Sequence, residues 1–118
     1  MTDCELLELA AKAAGIEYDK AASFPPDGKT YSFFGLWLVI EGEPNERTRR
    51  RWNPLTDDGD AFRLAVQLDI EVRHVNGAAH AGRANYFWCT EDWFPDGDKV
   101  AATRRAITLA ASSIGRKL

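Results

Sequence analysis

The sequence predicts an α+β domain: a three-layer α/β/α sandwich with a small antiparallel-rich sheet and element order α-β-α-β-β-α. Three observations carry this. Three amphipathic stripes, each preceded by a capping residue, mark helices at 3–14, 57–68 and 98–114. A run at 30–40 is apolar on both alternating faces, Phe34, Leu36, Leu38 and Ile40 against Tyr31, Phe33, Trp37 and Val39, as in a strand covered on both sides. Asn76-Gly77 sits between two further strand-like runs, a strong hairpin signal.

In the first helix Thr2 and Glu5 have capping-box spacing, and Leu6, Leu9, Ala10 and Ala13 form one stripe. Gly15 ends the helix, and Ile16 folds back over it. Pro25, Pro26, Asp27 and Gly28 signal a turn before the 30–40 strand, and 42–51 reads as an exposed polar loop.

The segment 52–65, W-N-P-L-T-D-D-G-D-A-F-R-L-A, joins a turn to a helix start. Pro54 keeps Asn53 out of the α region. Thr56 or Asp57 then caps, with Asp57, Asp58 and Asp60 at the positive end of the helix dipole. Ala61, Leu64, Ala65 and Leu68 follow at helical spacing, with Phe62 broadening the stripe.

Ile70 and Val72 alternate with Glu71 and Arg73 in a short strand, and the Asn-Gly turn leads through 78–82 into a strand at 83–89. Asp96-Gly97-Asp98 opens the last helix, where Val100, Ile107, Ala110, Ala111 and Ile114 mark the core face, Gly115 acts as a stop, and Arg104 and Arg105 take the outer face.

Three of these segments, 5–16 (E-L-L-E-L-A-A-K-A-A-G-I), 52–65 and 101–115 (A-A-T-R-R-A-I-T-L-A-A-S-S-I-G), together resemble a family of small tailed-phage proteins, the phage ABA-sandwich domain. The resemblance implies the sandwich fold and a phage or prophage origin, hence a bacterial host cytoplasm, and implies no particular reaction. The chain departs from the family's pattern in the aromatic segment before Trp52 and at 76–96.

At 118 residues, 45% hydrophobic and 28% charged, the chain fits a single domain, 1–118, with a modest core. Fifteen basic against eighteen acidic residues, net −3, argue against a surface built throughout for nucleic acid. Cys4 and Cys89 offer no disulfide framework and are expected as reduced thiols. No apolar run approaches the roughly 20 residues that span a bilayer, so a cytoplasmic protein without a membrane partner is expected.

No catalytic constellation, cofactor fingerprint or metal site is expected. Cys4, His74, His80 and Cys89 lack zinc-ligand spacing, and the serines lack a nucleophile context. Arg47, Arg49, Arg50 and Arg51 followed by Trp52 are the first candidate binding residues, since guanidiniums grip phosphates or carboxylates and an indole stacks. The structural alternative is a solvated loop with Trp52 anchoring the turn. Trp88, Trp93 and Phe94 form a second candidate surface, aromatic residues being enriched at interface centres, against the alternative of a core strand and plug. The expected function is a non-enzymatic module that binds a protein, from host or phage, or itself; the alternative is a nucleic-acid binder using 47–52.

The acidic clusters at 57–60 and 92–98 lack calcium-loop spacing and read as helix caps. Calcium or magnesium is therefore expected to leave the melting temperature nearly unchanged, since only preferential binding to the folded state would raise it. Thermal melts with and without either ion check this.

Overall fold

The computed structural model describes residues 2–18, 23, 35–38, 51–84 and 86–118. The turn at 25–28, most of the 30–40 run and the greater part of the 42–51 loop lie outside those residues. The elements are α1 (Asp3–Ala14), β1 (Leu36–Trp37), β2 (Arg51–Trp52), α2 (Asp58–Gln67), β3 (Glu71–Val75), β4 (Ala78–Arg83), β5 (Phe87–Asp92) and α3 (Lys99–Arg116).

The α+β class, the antiparallel sheet and all three helices are those the sequence predicts. β3-β4-β5 form one antiparallel sheet and β1-β2 a small antiparallel pair. The helix starts form by local hydrogen bonding. Thr2 and Glu5 make a complete capping box. The Asp57 carboxylate accepts from the Asp60 amide at 2.9 Å, and Asp98 accepts from the amides of Val100 and Ala101. Left-handed Gly15 ends α1, with the Ile16 amide donating back to Ala11.

The centre of the molecule is α3. One side packs on β4 and β5, the opposite side on α1, and its first half meets α2. Across the α1 contact both helices present small residues: Ala10, Ala11 and Ala14 on one, Ala111, Ser112 and Gly115 on the other, all buried. Leu6 and Leu7 of α1 are fully buried, each contributing roughly 2 kcal/mol of burial.

Three layers are thus sheet, α3 and α1. The opposite sheet face, carrying Arg73, Val75, Trp88 and Thr90, is exposed, where helices on both faces of the sheet were expected. The reason is that α1 spends its apolar stripe on α3.

Several local expectations are corrected. Gly115 does not stop the last helix but lies within it, where a Cβ would overlap the Leu9 carbonyl of α1. Residues 78–83 are a strand rather than a connection, so β5 starts at Phe87. The alanines and glycine of β4 carry little strand propensity; Ala79 and Ala81 are fully buried in the core.

Arg104 and Arg105 are not on an outer face, because a central helix has little of one. Arg104 donates to the Leu55 carbonyl at 2.8 Å and pairs with Asp58, and Arg105 bridges Asp3 of α1 and Glu91 of β5. Among the described residues, no helix is long and apolar enough to cross a membrane.

Gly115→Ala inverts the usual rule that alanine improves a helix by about 1 kcal/mol. The added methyl meets backbone rather than a movable side chain, so a loss of about 2–3 kcal/mol is expected, as for overpacking. Urea unfolding of the two proteins measures it.

Candidate binding groove at the edge of the sheet

β3 is an edge strand: among the described residues its only strand neighbour is β4. The Asn76-Gly77 turn has φ of 53° and 75°, both positive as a two-residue type I′ hairpin requires, and Val75 pairs with Ala78. In such a hairpin the closing pair is hydrogen bonded. The alternation then aims the backbone groups of Val75, Arg73 and Glu71 at β4 and those of Val72 and His74 outward. The edge therefore offers N–H and C=O groups to an incoming strand.

Beside that edge runs an apolar groove of about 870 Å³, walled by α2 and the first half of α3. Its lining includes Ala61, Phe62, Ala65 and Val66 from α2, Val100 and Ile107 from α3, and Ile70 and Val72 from the strand side. Phe62 is 69% exposed, Val66 61% and Val100 51%. Phe62 and Val100 thus lie outside the core that the sequence assigned them to. Phe62 and Val66, one helical turn apart, form an apolar ridge beside the buried Ala61-Leu64-Ala65 stripe. That second ridge is the signal by which the groove is legible, once the first is known to face α3.

The groove walls are pinned by polar contacts. Arg104 ties α3 to the Leu55 carbonyl and to Asp58 at the start of α2. Gln67 donates to the Ala14 carbonyl at 2.6 Å, and Arg83 donates twice to the Leu68 carbonyl, holding the other end of α2. His74 reaches Thr103 of α3 at 2.7 Å and meets the edge of Trp93, whose ring also carries the Lys99 ammonium. On the far side of the strand, Arg73 pairs with Glu71 at 2.8 Å and stacks over Trp88.

The candidates from sequence fall in different places. Trp88 is exposed on the open sheet face next to Arg73, and Phe94 is exposed beside Gly77, where a Cβ would overlap it. Trp93 is half-buried against the core and the His74 ring. Trp52 is buried in the core, so its indole is not a surface for stacking, and the turn-anchor alternative describes it. Arg51 is partly buried and donates to the Gly35 carbonyl at 2.8 Å; burial lowers its pKa. Arg47, Arg49 and Arg50 lie outside the described residues.

Asp60, read as a dipole acid, is buried and accepts from the Asn53 amide and from Arg63. Cys4 and Cys89 are both free thiols; burial, with Asp3 and Glu8 nearby, raises the Cys4 pKa. Among the described residues no group of three or more His, Cys, Asp or Glu could hold a metal. No family model, curated protein or solved structure matches the chain.

The groove's pins and its lining should respond differently to substitution. Arg104→Met removes the contacts to Leu55 and Asp58 and is expected to cost about 1–3 kcal/mol, mostly from the carbonyl left without its charged donor. Phe62→Ser, at an exposed ridge, should stay within about 0.5 kcal/mol. Paired urea melts separate the two.

Proposed function

We propose that the protein is a protein-binding module that takes up an extended segment of its partner along the free edge of β3. The observation that carries this is the juxtaposition of an outward-facing strand edge with an apolar groove on one side and the Arg73-Trp88 pair on the other. Strand addition uses such a pair of features together. Main-chain hydrogen bonds to the edge supply affinity, and alternate side chains of the segment, dropping into the groove, supply selectivity.

A segment with apolar residues at every second position suits the site. Its apolar face would lie against Phe62, Val66 and Val100, and its other face beside Glu71 and Arg73 of β3, the latter held over the Trp88 ring. The motifs at 5–16, 52–65 and 101–115 support a phage or prophage accessory protein as the setting.

Val72→Pro tests the edge specifically. The Val72 N–H points away from β4, so proline there leaves the β3–β4 ladder whole, and edge strands tolerate it. Selection from a random library of peptides about eight residues long should yield alternating sequences that bind the wild type. Their affinity should fall at least about tenfold, or ~1.4 kcal/mol, in the variant. Binders indifferent to Val72→Pro would refute the reading, as would a monomeric protein that selects no binders.

A further inference from the structure

We infer that the segment taken up along β3 is β3 of a second copy of this chain, paired antiparallel about a two-fold axis through Val72. The inference rests on the strand-addition reading and adds the occupant. Reflected through Val72, the sequence Ile70-Glu71-Val72-Arg73-His74 is complementary to itself. Glu71 falls opposite Arg73 of the other copy, twice, and Val72 opposite Val72. Ile70 falls opposite His74.

Val72 is one of the two residues whose backbone groups face outward, so the central pair exchanges both of its hydrogen bonds. The His74 amide then reaches the Ile70 carbonyl of the other copy. The Ile70 amide takes no part, because it already donates to the Ala65 carbonyl at 2.8 Å.

Charge selects this register over its neighbours. With the axis on Arg73 the two guanidiniums would face each other, and with the axis on Glu71 the two carboxylates would; like charges directly opposite are destabilising. In the Val72 register the existing Glu71–Arg73 pair, 2.8 Å apart on the open sheet face, becomes half of a four-charge network. Arg73 is already oriented there by Trp88, 5.0 Å from its ring centre. On the groove side Val72 covers Val72, closing the strand wall of both grooves at once.

Sedimentation equilibrium of the full chain across the micromolar range tests this, with circular dichroism and melting of each variant confirming the fold. The wild type should be a dimer. Glu71→Arg and Arg73→Glu should each weaken it by about tenfold or more, and the double variant carrying both should regain wild-type association. Val72→Pro should be monomeric.

A monomeric wild type that still selects alternating peptides sensitive to Val72→Pro would overturn the self-pairing and leave strand acceptance standing. A monomeric wild type without such peptides would remove both. A dimer indifferent to the charge exchange and to Val72→Pro would place the contact on another face and overturn the inference.

Discussion

The contact between Gly115 and the backbone of Leu9 decides how the rest of the molecule is arranged. Two helices approach closely only where neither presents a side chain at the crossing, and here Gly115 meets the Leu9 carbonyl with alanines on either side. That closeness lets α1 cover one flank of α3 from Arg105 onward while the sheet packs on the other. Its consequence is a terminal helix buried along much of its length. The fully buried Thr108 hydroxyl is accommodated by donating to the Arg104 carbonyl one turn back, at 2.8 Å.

With both flanks of α3 taken, α2 can reach only its N-terminal half. α2 is anchored there by Arg104 and at its other end by Gln67 and Arg83, which fixes its angle and stops it from closing over β3. The groove is the space left by that restraint. Its apolar lining follows from α2 carrying two ridges when the core needs one. The outer sheet face is exposed at Arg73, Val75, Trp88 and Thr90, and among the described residues β3 has β4 as its only strand neighbour, its other edge flanked on both sides by side chains suited to contact.

The features legible in the sequence are those made by neighbours along the chain. Thr2 with Glu5, Asp57 and Asp98 cap because their partners are a few residues away, and Asn76-Gly77 turns because it tolerates positive φ. What stayed hidden depends on residues far apart. β4 reads as a connection because alanine and glycine have little strand preference, and only its burial in the core explains them. Gly115 looks like a helix stop until Leu9 is seen beside it. For Trp52 the sequence offers both a stacking surface in a basic run and an anchor for the Asn53-Pro54 turn, and packing decides for the anchor. The groove is a space between elements, and its sign in the sequence is the second apolar ridge, Phe62-Val66, which reads as a groove wall only once Ala61-Leu64-Ala65 is known to face α3.

The central position of α3 also sets the order of events during synthesis. Asp3 is linked to Arg105 and Lys12 to the Leu118 carbonyl, separations of 102 and 106 residues. Within the domain, α1 and the sheet therefore both depend on α3, made after them, to cover their apolar faces. The packing of α1 and of the sheet waits on residues 99–116, and such long-range closure slows folding. In the interval the nascent chain exposes leucines and an unpaired β3 edge together, the combination that chaperones recognise and that aggregation exploits. α3 is thus the keystone of the domain, the element on which α1, α2 and the sheet are assembled.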